Sequence, residues 1–248
     1  DDLGAELVRG DVTDPASIER LVAGCDAVLL LHGATRTRKL SDLWRDATED
    51  PAHAKNVNCA AVAATIAACE KAGCGRIVRV TGKGETPWSI FSILINLLGS
   101  HAKTWNYEGE RLLRACTLDY TIVRPGVMSP DAVLSPKSLA LADDGGDLKV
   151  SAIPHGTIAD LCVEVLAYPN AARTTLCAMT VEEGEGADAY AELLPAVRAD
   201  RRAFPGDELR EESFRAVRRG GAALILGLGS LAASAAWGVA AVVRGVVR

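Results

Sequence analysis

The sequence predicts an α/β fold with a doubly wound parallel sheet. Three observations carry that prediction: aliphatic runs alternate with amphipathic stretches over residues 5 to 125, the runs stop at glycine or proline, and the intervening stretches repeat apolar residues at helical spacing. The 248 residues are 49% hydrophobic and 24% charged, which suits one sizeable core and excludes a disordered or fibrous chain. A net charge of -5 and the lack of an Arg/Lys stripe interleaved with aromatics argue against nucleic acid as a partner.

Glu6–Arg9 reads as a first strand, followed by a turn through Gly10, Asp11, Val12 and Thr13. Asp14 is then the expected N-cap and Pro15 the first helical residue, with Ile18, Leu21 and Val22 as the apolar stripe and Gly24 as the stop. Asp26–Leu31 is a continuous aliphatic run of the kind buried on both faces of a parallel sheet. After a polar loop over 35–54, Cys59, Val62, Ile66 and Cys69 predict a helix closing at Gly73. Arg76–Thr81 is the next strand, and Ile90–Leu98, too short to span a bilayer, reads as a buried or dimer-facing helix. A helix through Tyr107–Arg114 leads to a strand over Tyr120–Arg124 that Pro125 stops. Beyond it, Ile158–Leu166 and Ala187–Leu194 predict helices, and Thr175–Met179 a short strand.

Seven cysteines (Cys25, Cys59, Cys69, Cys74, Cys116, Cys162, Cys177) form no CxxC and are odd in number, so they read as reduced thiols, several in the core. His32, His53, His101 and His155 lack the spacing of a zinc site, so no metal is expected. No Gly-x-Ser-x-Gly nucleophile elbow is present.

Ala222–Val243 is 22 residues without a charge, which is membrane length. Its eight strongly aliphatic residues contribute roughly -2 to -5 kcal/mol to insertion, partly offset by Gly and Ser. The expected organisation is therefore a folded domain over 1–200, a basic linker over 201–219 and a transmembrane helix over 220–244. Four arginines over 210–219 against two after the run place the domain weakly on the positive, cytoplasmic or stromal side. Ser230, Ser234 and Gly238 form a small-residue stripe along which a partner helix or protein is expected to pack.

Four segments, taken together, resemble an atypical short-chain dehydrogenase/reductase of the NmrA-like, NAD(P)H-binding group. They are Leu7–Asp14 with Asp26–Val28; Asn58–Gly73 followed by Arg76–Thr81; Glu108–Arg114 followed by Leu118–Gly126; and Ile158–Cys162. Together they span roughly residues 5 to 180. The resemblance implies a Rossmann-like domain that binds NAD(P), with NADP the preferred form. In such proteins a strand, a glycine-rich phosphate loop, a helix and a second strand come before the Gly-Asp-Val-Thr-Asp motif. These residues contain no G-x-G-x-x-G, so the domain is expected to be N-terminally incomplete and its pyrophosphate grip to lie in a preceding segment.

By the same resemblance, Asp11 would accept from the adenine amino group with Val12 packed alongside. The backbone of His32, Gly33 and Ala34 would border the cofactor, and Pro125, Gly126 and Val127 would run beside the nicotinamide. Thr81 falls where the family often has a serine that hydrogen-bonds substrate, making it the expected catalytic residue. The family's Tyr/Lys pair is lost: its register falls on Ala102 and Asn106, while Tyr107 and Lys103 are expected on neighbouring, solvent-facing positions. The function expected is a membrane-anchored, NAD(P)H-dependent oxidoreductase or isomerase acting on a small apolar molecule. The alternative is a catalytically silent dinucleotide sensor or assembly factor at a membrane complex. The resemblance suggests a plastid.

Overall fold

A computed structural model describes residues 4–35, 49–223 and 226–227. Asp14 caps the first helix, α1 (Pro15–Val22), by accepting from the backbone N–H groups of Ala16 and Ser17, and Pro15 opens it as expected. The chain leaves α1 through Gly24 at φ 78°, a left-handed turn that a side chain would disfavour. Strand β1 (Ala27–Leu30) follows. After the loop, a π-helical turn (Asn56–Ala60) runs into α2 (Ala61–Ala72), which Gly73 terminates in the left-handed conformation. Then come β2 (Arg76–Val80), α3 (Ile90–Leu98), α4 (Ala102–Ala115) and β3 (Asp119–Pro125).

The second half adds β4 (Val127–Ser129), β5 (Leu139–Ala142), β6 (Ala152–Pro154), α5 (His155–Glu164), β7 (Thr174–Thr180) and a short α6 (Tyr190–Leu193). A helix over 207–223, α7, follows. The main sheet has the order β1-β2-β3-β7-β5, all parallel except the edge pair β5–β7, and β4 pairs with β6 in a separate parallel ladder. Arg76–Val80 lies beside Asp119–Val123 in parallel register, as the sequence predicts.

Alternation along the strands builds two cores. On β2 and β3, Ile77 and Ile122 point to one face with Ile18, Val22, Val62, Ile66 and Leu113; Val78 and Val123 point to the other with Ile158, Leu161 and Val165. The sheet is thus covered by α1, α2 and α4 on one side and by α5 on the other, the arrangement of a doubly wound fold. The forces that seat α1 can be ranked. Burying Ile18 and Val22 is worth roughly 1.5–3 kcal/mol each, whereas the exposed Lys71–Glu19 ion pair contributes at most about 1 kcal/mol. The apolar stripe therefore holds the helix.

Several expectations are corrected. Glu6–Arg9 forms no ladder among the described residues, and Leu7 is 87% exposed, because a strand forms only against a neighbour. Leu29 and Leu31 are exposed, so the Asp26–Leu31 run is an edge of the described sheet and not buried on both faces. The Ile90–Leu98 helix forms, but only Ile93 among its large apolar residues is buried, while Ile90, Phe91, Leu94 and Leu98 are exposed, so of the two placements expected for it the buried one does not hold. The helix predicted over Ala187–Leu194 shrinks to α6 and a following 3-10 turn (Leu194–Ala196).

The residues expected as a basic linker instead carry α7, packed on the domain through buried Leu209, Ala216 and Val217, with Phe214 edge-on to the Trp105 ring. Gly220 permits this approach to α3, since a Cβ there would lie 2.6 Å from Ile93 Cδ1. Among the described residues no helix is long and apolar enough to cross a membrane. The span predicted over Ala222–Val243, and with it Ser230, Ser234 and Gly238, lies almost wholly outside them.

Candidate functional site

The carboxyl ends of β1, β2 and β3 emerge along one edge of the sheet, where open α/β sheets place their ligands. The ladder runs one residue beyond β2, because Thr81 N–H donates to Val123 O at 2.9 Å. Beyond that edge lies a cavity of about 240 Å³. Thr81, Pro125, Gly126 and Val127 line one wall, Phe91 and Ile95 of α3 another, and Lys103, Asn106, Tyr107 and Glu110 of α4 a third. The turn joining α3 to α4 is strained, with Ser100 at φ 52° and His101 at φ 61°, both in the left-handed region. That turn fixes where α4 begins, and so which of its faces meets the sheet.

Beneath the cavity is a buried ion network. Glu110, 1% exposed, accepts from Arg124 Nε and Nη2, from Arg114 Nη1 at 3.1 Å and from the Thr81 hydroxyl at 2.6 Å. Burial alone would raise its pKa, but Arg124, Arg114 and Thr81 together hold the carboxyl below its usual range. Arg124 also donates to Glu85 at 2.8 Å, and Glu85 accepts from Arg202 at 2.6 Å. The guanidiniums of Arg114 and Arg202 sit 3.9 and 4.0 Å from the Phe204 ring centre, so the segment after β7 is pinned over this network.

A second buried cation comes from the sheet. Arg79 on β2 is fully buried and donates to Asn106 Oδ1 at 3.0 Å, with Nη1 also 3.2 Å from His32 Nε2. Nε2 of His32 lies 3.1 Å from Val57 O as well, and a neutral ring serves one of these partners at a time. Burial first, then the Arg79 charge, push the His32 pKa down to about 4, so the ring is neutral at pH 7 and is not an acid there. Asn58, buried, bridges the site: it accepts from Ala34 N–H at 3.0 Å and donates to Ala102 O at 3.2 Å, tying the loop after β1 to the start of α4.

The structure brings Thr81, Pro125, Gly126 and Val127 together, and sets His32, Gly33 and Ala34 at the end of the neighbouring strand. Asp11 and Val12 stand apart from that cavity. Asp11 is exposed and accepts from Thr13 N–H and Oγ1, both at 2.8 Å, which lowers its pKa. Val12 lines a separate hollow with Pro15 and Ala61. The Tyr107 ring lines the main cavity, but its hydroxyl donates to Pro205 O at 2.9 Å, and burial pushes its pKa up to about 12. Lys103 corrects the expectation most: it is half-buried and lines both this cavity and a small adjoining hollow that it shares with Ser92, where solvent was expected. Asn58, Arg79, Asn106 and the α3 wall were missed as site residues. The 103, 106, 110 spacing, one face of a helix, was the available signal.

Comparison with known proteins accords with this fold. Residues 1–169 match the protein family described as NAD(P)H-binding. A chloroplastic protein of Arabidopsis thaliana, named as uncharacterized protein At2g37660, is 26% identical over 188 residues, covering 73% of this chain. This chain spans only 57% of that relative's length. The oxidoreductase ylbE of Lactococcus lactis superposes with a TM-score of 0.56 at 15% identity, over 79% of this chain and 80% of that one. A wide-type short-chain dehydrogenase/reductase of Veillonella parvula, solved in complex with NADP, gives a TM-score of 0.50 at 16% identity, over 73% of this chain and 74% of its own. At such identities these structures speak to the fold alone.

Proposed function

This chain belongs to the NAD(P)H-binding family, and from that premise we propose that it is an NAD(P)H-dependent oxidoreductase or isomerase acting on a small apolar molecule. One observation carries the reading: a cavity of about 240 Å³ at the carboxyl edge of the parallel sheet that gathers Thr81 and Pro125–Val127 opposite the apolar wall of α3. The backbone there suits a dinucleotide. Gly33 and Gly82, just past β1 and β2, have open space where a Cβ would stand, so a flat ligand can lie against the chain. His32–Ala34 and Pro125–Val127 would hold the cofactor, with Asp11 and Val12 toward the adenine, and the nicotinamide when bound supplies hydride chemistry.

Thr81 orients rather than ionises. Its hydroxyl proton is committed to Glu110, which leaves an oxygen lone pair for a substrate donor. A second reading, a catalytically silent dinucleotide sensor or assembly factor, is favoured by the Tyr107 hydroxyl being spent on Pro205 and by Ala102 and Asn106 standing at the family's Tyr and Lys positions.

Calorimetry on the full-length protein is expected to show binding of NADPH, and more weakly of NADH. Binding with no turnover over a panel of small apolar ketones and enones would select the sensor, and no binding of either nucleotide at millimolar concentration would reject both readings. Membrane anchoring through 220–244, in a plastid, belongs to the same proposal; it rests on the uncharged run and its flanking arginines. Alkaline carbonate extraction should leave the full-length protein in the membrane pellet and release a form ending before residue 220. A full-length protein that is itself released has no such anchor.

A further inference from the structure

Resting on the reading of this cavity as the substrate cavity, we propose that its ligand is a small apolar molecule carrying one carboxylate, and that Lys103 and Asn106 are the pair that holds that carboxylate. The walls supply the first half of the argument. Phe91, Ile95, Ala102, Pro125, Val127 and Val150 form an apolar lining that would welcome a hydrocarbon or aromatic skeleton.

Elimination supplies the second half. Of the polar groups in the lining, Thr81 gives its proton to Glu110, and Glu110 is taken by Arg124 and Arg114. Lys83 is held by Asp147 at 2.6 Å and by Leu148 O at 2.8 Å, and the Tyr107 hydroxyl by Pro205 O. Two side-chain donors are left. Lys103 Nζ meets only the hydroxyls of Ser92 and Thr86, with no carboxylate in ion-pair contact among the described residues. Asn106 must turn its oxygen toward Arg79, because a guanidinium has no acceptor to offer, so its NH2 is the end left for the cavity.

The two residues are three apart on α4 and therefore share a face. Both line the cavity, and an ammonium and an amide NH2 offered from one face suit the two oxygens of a carboxylate.

The charge balance points the same way. The groups that act on Lys103 are Arg124 of β3 and Lys83 of the loop after β2, which repel it, and Glu110 of α4 and Asp147, which attract it. Both carboxylates are already matched, Glu110 by Arg124 and Asp147 by Lys83, so among the described residues the ammonium, like the buried Arg79 guanidinium behind Asn106, has no carboxylate of its own. Burial foremost, then Arg124 and Lys83, bring its pKa down to about 8. It is thus mostly charged at pH 7 and loses that charge in mildly alkaline solution, and a bound carboxylate would raise the value again.

Two probes that differ only in the acid group test the assignment: trans-cinnamate and cinnamyl alcohol, titrated calorimetrically into the protein at pH 7. Cinnamate is expected to bind roughly 10- to 100-fold more tightly, the size of one charge-assisted contact. That preference should shrink as pH rises past the ammonium's titration. Lys103→Met should abolish it, bringing the two probes to equal affinity, and Lys103→Arg should keep it. Asn106→Asp retains the acceptor for Arg79 but opposes a second carboxylate, so it should weaken cinnamate alone. Equal affinity for the two probes, binding of neither, or a preference that survives Lys103→Met would overturn the proposal. Nucleotide titrations in parallel separate the two failures: cinnamate preference without NAD(P)H binding keeps this site and removes the enzyme reading.

Discussion

Glu110→Ala is expected to cost about 3–5 kcal/mol of folding stability, the penalty for removing one partner of a buried ion pair and leaving the other charge unmatched. Glu110 is 1% exposed and is the carboxylate shared by Arg124, itself buried, and Arg114, whose side chain is 8% exposed. Without it Arg124 keeps only Glu85, which it must share with Arg202, and Arg114 loses its ion-pair partner among the described residues. Urea unfolding should read the loss as a lower midpoint at unchanged slope. A midpoint within about 0.5 kcal/mol of the parent, the size of an ordinary surface change, would mean the network carries little net stability.

The pH dependence follows from the same geometry. Glu110's folded pKa lies below its unfolded value, so its contribution is complete above an unfolded carboxylate's titration near about 4.3. The contribution drains as pH falls through the folded value, because the unfolded chain then binds the extra proton. The parent should therefore weaken below that range, and Glu110→Gln should lack this part of the slope.

Gly126→Ala is expected to cost about 3 kcal/mol, the upper end for overpacking, and to abolish ligand binding in the cavity. A Cβ at 126 would stand 2.1 Å from Ser151 O and 2.8 Å from Met179 Sδ. Neither neighbour can step aside cheaply: Ser151 O accepts from Val127 N–H at 3.0 Å, and Ser151 Oγ accepts from Thr180 N–H at 2.7 Å. The wall Pro125–Val127 would have to move instead, and that wall lines the cavity. Gly82→Ala is the matched control. Its Cβ meets nothing within 4 Å, so stability should stay within about 0.5 kcal/mol while dinucleotide affinity falls. Thermal unfolding and nucleotide calorimetry on the two variants measure both effects; equal stability losses would mean the clash at 126 is relieved elsewhere.

The scaffold was readable wherever local chemistry and global packing agree. Asp14 and Pro15 start α1, Gly73 stops α2, and the aliphatic alternation of Arg76–Val80 and Asp119–Pro125 places two strands whose pairing is then forced. Glu6–Arg9 shows where that logic ends. Its pattern is that of a strand, but a ladder depends on a partner that the pattern does not contain.

The site divides in the same way. Thr81 and Pro125–Val127 could be placed through the family resemblance, and they meet because each directly follows or ends a strand and strand ends share one edge. Lys103 could not. A rotation of one residue on a helix is about 100°, and what sets the phase of α4 is the strained turn at Ser100 and His101 just before it, together with the clasp of Asn58 on Ala102 and the seat of Gly109 against Asn58 O, two contacts between residues distant in the chain. Periodicity thus decides which segments are buried and in what layers. Only tertiary packing decides which face of α4 looks into the cavity, and so which cation is left facing a ligand.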